Sequence, residues 1–193
     1  MTPPKEILRH TLNEQRAALR WKLEGLSERE LRWPMTPTGT NLLGLVKHVA
    51  TIELGYFGEV FGRPSGIPTP WIGGSAEPNA DLWATPAESK EQILRLSADA
   101  EAHSNLTIDE LELEAIGIVP WWTAERGRVT LHQILVHMIA ETARHAGQAD
   151  ILRELIDGSA GMQAGNSNLP ELSPEQLAEQ RRRLEAIAEG FRD

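Results

Sequence analysis

No stretch of this chain alternates apolar and polar residues over the length of a credible strand, whereas five segments repeat apolar residues at helical spacing. A chain patterned this way buries its apolar stripes by laying helices side by side. The first segment, about 4–25, follows Pro3 and Pro4 and carries Ile7, Leu8, Leu12, Leu19 and Leu23 up to Gly25. The second, about 41–62, opens on Asn41 as N-cap and stops at Gly62 and Pro64. The third, about 86–106, takes Thr85 and Pro86 as cap and first-turn proline. The fourth, about 129–157, runs from Thr130 as cap to Gly158 as stop, and the fifth, about 173–191, starts at Ser173-Pro174 and is amphipathic. The expected fold is all-α: a single helical domain over 1–193, built as a four-helix bundle with long crossover loops and an additional C-terminal helix.

The connections differ in character. The loop "RPSGIPTPWIGGSAEPNADLWATP" is long and rich in Pro and Gly, which in a compact domain points to a functional or flexible segment. In the tract 107–128, Gly127 is placed to turn a short hairpin, and 158–172 reads as a flexible linker. A formal net charge of −9 without a Lys/Arg block argues against nucleic acid as partner. The chain has no cysteine, so a thiolate metal site and a cysteine nucleophile are both excluded, and thiol chemistry would need a thiol brought as substrate. The N-terminus lacks the apolar core of a signal peptide, and no run approaches the ~20 apolar residues of a membrane span. A soluble, cytoplasmic protein without a membrane partner is expected.

Chemistry concentrates on the fourth segment. On a helical wheel His145 projects from the middle of the apolar stripe formed by Leu131, Ile134, Met138, Ala149 and Leu152, with Glu141 beside it and His137 at the edge. A carboxylate facing a core costs several kcal/mol unless it is paired, protonated or bound to a cation. In the second segment His48 flanks the stripe of Leu45, Val49, Ile52, Tyr56 and Val60, and helix bundles build metal sites from such facing side chains. His48, Glu141 and His145 therefore form a candidate two-His-one-carboxylate set for a divalent metal, Zn first, with Ni, Fe or Mn as alternatives. The plain alternative is a hydrogen-bonded core histidine, and His137 stands as the competitor to Glu141 for the third ligand. Tyr56 and Arg126, with some of the tryptophans, are candidates for the wall of a pocket over the site, and Glu59 and His137 for a general base. His10, His103 and His132 read as solvated surface.

The stretches "TPTGTNLLGLVKHVATIELGYFGEVFGRP" and "VTLHQILVHMIAETARHAGQADILRELIDG" together resemble the DinB/YfiT-like superfamily, nearest the branch related to the N-terminal domain of mycothiol-dependent maleylpyruvate isomerase. The resemblance covers most of the chain. It implies a bundle of up-down-down-up topology, often a homodimer, and a divalent metal held by three side chains from the second and fourth helices. In the isomerase-like branch those ligands are His, Glu and His, which match His48, Glu141 and His145 here. It further implies metal-assisted thiol transfer or isomerisation of a small molecule with a low-molecular-weight thiol as cosubstrate. The isomerase carries an additional C-terminal domain that is not expected within residues 1–193, which sets that particular reaction apart.

Three function classes follow: a thiol-dependent S-transferase or isomerase of the mycothiol type, a metal-dependent hydrolase, or a non-catalytic dimeric bundle whose metal is structural or absent.

Overall fold

The computed structural model describes residues 2–167 and 169–191. Four long helices form the bundle: α1 (Pro4–Trp21), α3 (Leu42–Phe57), α4 (Lys90–Glu110) and α6 (Leu131–Asp157), with the short α2 (Glu28–Arg32) between the first two. A two-stranded antiparallel hairpin of β1 (Ile116–Ile118) and β2 (Arg128–Thr130), joined across the one-turn α5 (Ala124–Gly127), connects α4 to α6. The last helix, α7 (Pro174–Glu189), has no buried residue.

Helix direction follows from shared apolar clusters. Leu12 of α1 lies with Leu131, Leu135 and Met138 of α6, and Leu19 and Leu23 lie with Ala146, Ala149 and Leu152, so α1 and α6 run parallel. α3 runs the other way, with Leu42 and Val49 in the second cluster and Tyr56 and Phe57 in the first. α4 follows α3, Ile93 at one end and Ile108 at the other. The topology is thus up-down-down-up. Two consecutive parallel helices cannot be joined by a tight turn, and this is why the chain between α3 and α4 is long enough to travel back along the bundle.

Local chemistry sets the helix starts. Asn41 accepts from the Gly44 N–H, while Ser89 with Gln92, Thr130 with Gln133 and Ser173 with Gln176 form reciprocal capping boxes. Gly158 ends α6 at φ 79°, in the left-handed region. Differences from the sequence reading have local causes. α4 starts after Ser89, because Thr85 and Glu88 close a turn on each other (Thr85 N–H to Glu88 Oε2, 2.7 Å), and Pro86 lies inside that turn. α3 ends at Phe57, and Glu59–Phe61 form a 3₁₀ turn closed by Gly62 at φ 65°. α1 stops at Trp21, and α2 arises from a Ser27/Glu30 capping box with Leu31 buried beneath it. The segment after α6 begins pinned to the bundle: the Gly161 carbonyl accepts from Trp21 Nε1 (3.0 Å) and from the Lys22 ammonium, and its N–H donates to Asp150 Oδ1 (2.8 Å).

An ion pair between α1 and α3 is buried inside the bundle. The Arg16 guanidinium of α1 donates two bonds to the Glu53 carboxylate of α3, with both side chains at most 3% exposed. Arg16 also reaches Asn13 Oδ1 (2.5 Å) and Asn105 Oδ1 (3.1 Å), so each of its guanidinium nitrogens has a partner. Among the described residues no helix is long and apolar enough to cross a membrane.

Candidate functional site

Because α3 and α6 are antiparallel, residues whose positions sum to a nearly constant value face each other. His48 meets His145, and Tyr56 meets His137. The His48 and His145 rings stand edge to face, centroids 4.8 Å apart at 77°. His145 is buried within the apolar stripe and His48 is half-buried at its flank, where the helical wheels put them.

Each ring is held by an outer oxygen. His48 Nδ1 lies 2.6 Å from Asp81 Oδ2, and His145 Nδ1 lies 2.8 Å from Gln148 Oε1. A carboxylate oxygen only accepts, so His48 Nδ1 donates to Asp81, and His145 Nδ1, facing the Gln148 amide oxygen, donates as well. Burial pushes the His145 imidazole below the ordinary histidine value, against the opposing pull of Gln148 and Glu141, which keeps the ring neutral at pH 7. Glu141 Oε2 stands 3.6 Å from His145 Nε2, and its side chain is 34% exposed. As placed, no group of three or more His, Cys, Asp or Glu side chains among the described residues is gathered tightly enough to hold a metal ion.

Two turns back along α6 from His145, toward its N-terminus, His137 takes part in an aromatic cluster. Its ring lies 4.7 Å from Tyr56 and 5.4 Å from Trp122, both edge to face, and Tyr56 also meets Trp121 at 5.2 Å. His137 is therefore a wall residue, separate from the histidine pair. Burial lowers its pKa, opposed by the charge of Glu141. A histidine whose folded pKa is depressed adds stability that is complete above the unfolded value near 6.5 and is lost as pH falls through the folded one. The His137 titration followed by NMR should have a midpoint below ~6.5, and His137→Phe should flatten the decline in stability below that pH. A midpoint above 6.5 would contradict the buried, neutral assignment.

Three cavities adjoin these side chains. One of about 460 Å³ opens on His145 and Gln148 and is bordered by Arg32, Thr40, Asn41 and Trp83. A second, about 500 Å³, lies between α3 and the crossover loop and is bordered by Ile52, Gly55, Glu59 and Trp121. The third, about 400 Å³, is lined by Trp121, Trp122, Arg126 and His137. Trp121 is a wall of the second and third. It fits against α3 because position 55 is glycine: a Cβ there would sit 3.1 Å from the indole edge. Arg126 and Tyr56 thus belong to the aromatic end of the cleft. Glu59 lies in the 3₁₀ turn beyond α3, on the wall of the second cavity and outside the histidine pair.

The partners Asp81 and Gln148 escaped the sequence reading. Gln148 had a signal, lying one turn beyond His145 on the same helix. Asp81 had none, since it lies in the crossover loop, 33 positions from His48. His103, read as surface, is half-buried, and its Nε2 is shielded from solvent without a hydrogen-bond partner. His10 and His132 are exposed as expected.

A search of curated proteins finds no match to the sequence. The family model described as mycothiol-S-transferase matches residues 7–158, from the first turn of α1 to the glycine that ends α6, taking in both histidines, Glu141, Asp81 and the aromatic cluster. On that match, and on the up-down-down-up bundle, the chain belongs to the mycothiol-S-transferase family.

Proposed function

We infer that the protein joins the sulfur of a low-molecular-weight thiol of the mycothiol class to an electrophilic small molecule, at the cleft between α3 and α6. The observation that carries this reading is the His48/His145 pair: two imidazoles edge to face, each with its Nδ1 held by an outer oxygen, Asp81 Oδ2 at 2.6 Å and Gln148 Oε1 at 2.8 Å. That outer-oxygen arrangement is the one that orients histidine ligands at metal sites. Glu141 supplies an anionic oxygen next to the pair. By donor chemistry, two imidazoles and a carboxylate are of the kind that hold a divalent cation with mixed nitrogen and oxygen ligation; His48, Glu141 and His145 would hold it once drawn together, since as placed they are not gathered around one point. A cation bound there would supply the positive charge that keeps a thiol ionised at neutral pH.

The chain's own residues do the rest. Having no cysteine, the protein takes its sulfur from the bound thiol. The thiol gives up its proton to solvent, its sulfur forms the new bond to the electrophilic carbon, and the electron pair displaced from that carbon leaves with the departing group or settles within the acceptor, which then takes up a proton. Asp81 and Gln148 hold the imidazoles in one tautomer throughout. Tyr56, Trp121, Trp122 and His137 offer aromatic walls for an apolar acceptor and exclude water from one side of the cleft.

The test uses tag-free protein loaded with Zn²⁺, Ni²⁺, Fe²⁺ or Mn²⁺, with mycothiol and glutathione offered against a fluorogenic alkylating electrophile. Conjugation that needs both a metal and mycothiol is the expected result. A protein that takes up no divalent metal, or that conjugates neither thiol once loaded, would overturn the reading.

A further inference from the structure

Residues 79–83 of the crossover loop are held against α3 by side chains from a single helical face. Asn41, Gly44 and His48 follow one another at spacings of three and four, which aligns them along the helix, and Lys47 lies three residues beyond Gly44 at the border of the same face. Asn41 Nδ2 donates to the Leu82 carbonyl at 3.2 Å. Lys47 Nζ donates to the Ala80 and Trp83 carbonyls at 2.9 Å each and lies 2.8 Å from Glu88 Oε1. Gly44 lets the loop approach, because a Cβ at that position would run into the Leu82 carbonyl. His48 completes the face through Asp81.

Lys47 is the unusual member. Its ammonium is buried, a costly place for a charge, yet it donates to two carbonyls, lies against the Glu88 carboxylate and sits 4.2 Å above the Trp71 ring. So strong an anchor fixes the turn to within the tolerance that one hydrogen bond demands, and the side chain it delivers to α3 is the Asp81 carboxylate.

We propose that Asp81 is the positioning residue of His48, and that Asn41, Gly44 and Lys47 form a cradle that acts through it. The crossover loop is thereby part of the site: it sets the tautomer of a residue on another element, leaving the His48 Nε2 free as donor atom. The inference rests on reading His48 as a metal ligand, but its geometric content stands in the metal-free protein.

Two variants of the full chain separate these contributions. Asp81→Ala removes the acceptor, and Gly44→Ala displaces the turn without changing any charge. Zn²⁺ affinity is measured by competition with a chromophoric chelator, and the His48 tautomer by ¹H–¹⁵N correlation of the imidazole in metal-free protein. Wild type should show His48 protonated at Nδ1. Each variant should shift the ring toward a mixture of tautomers and weaken Zn²⁺ binding about 10–100-fold, the range found for outer partners of metal-bound histidines. The double variant should be no weaker than the weaker single one, since both act through one bond. An unchanged His48 tautomer in Asp81→Ala, or losses that multiply in the double variant, would overturn the proposal. If wild type binds no Zn²⁺, the metal reading fails, and the tautomer measurement still decides whether Asp81 positions His48.

Discussion

His145→Ala is expected to lower metal-dependent thiol conjugation by roughly 10³-fold or more, the rate equivalent of the several kcal/mol that a bound cation contributes. The expectation follows from where the ring lies. It is buried in the apolar stripe of α6, its Nδ1 is committed to Gln148, and its Nε2 faces the Glu141 side. No neighbouring histidine stands ready to replace it, because His137 is engaged with Tyr56 and Trp122. Metal content measured on the same preparation distinguishes the causes. Loss of activity with loss of metal supports the ligand role, whereas a metal-replete, inactive variant would move His145 to a different one. An active His145→Ala protein would remove the histidine pair from the mechanism. Thermal unfolding should show a native, cooperative protein, since an alanine at this position leaves the surrounding Ala146 and Ala149 packing in place.

The second large effect is on stability. Arg16→Met should cost about 3–5 kcal/mol, because it leaves the Glu53 carboxylate buried without its cation. Glu53 is 2% exposed, and burial raises its pKa against the opposing pull of Arg16. With Arg16 gone, the Ser104 hydroxyl is the one lowering influence left against the upward push of burial. A carboxylate with a raised folded pKa contributes stability that is complete below its unfolded value near 4.3 and is lost as pH rises through the folded value. The penalty of Arg16→Met should therefore shrink toward pH 4 and be largest at neutral pH. Replacing both partners, Arg16→Met with Glu53→Leu, should recover most of the loss, since an apolar pair of similar volume needs no solvation. Urea unfolding of the two single variants and the double variant measures this directly. A double variant as unstable as the sum of the singles would show that the pair is not coupled.

The fold was legible where a signal repeats along the chain. Helical periodicity needs only neighbours three and four residues away, so the four bundle helices were visible, and so were the capping residues Asn41, Thr130, Ser173 and the stop at Gly158. The same periodicity put His145 in the core and His48 at its margin, because a wheel reports which face a side chain occupies. It could not report that Thr85 and Pro86 close a turn ahead of α4, as that depends on the Glu88 side chain reaching back. Nor could it show that Gly161 is pinned under Trp21 and Lys22, a contact across about 140 residues.

What the sequence determined by itself is the set of helices, their apolar faces and the exclusion of any thiol belonging to the protein. Only the tertiary structure decided which polar groups meet. Asp81 reaches His48, Arg16 reaches Glu53 and Lys47 reaches three segments of the crossover loop through contacts between residues 33 to 41 positions apart. Such bonds form when helices with no sequence relation to each other pack together, so no local pattern records them. Helix formation is a short-range property of the chain, whereas satisfying buried charge is a property of the assembled bundle.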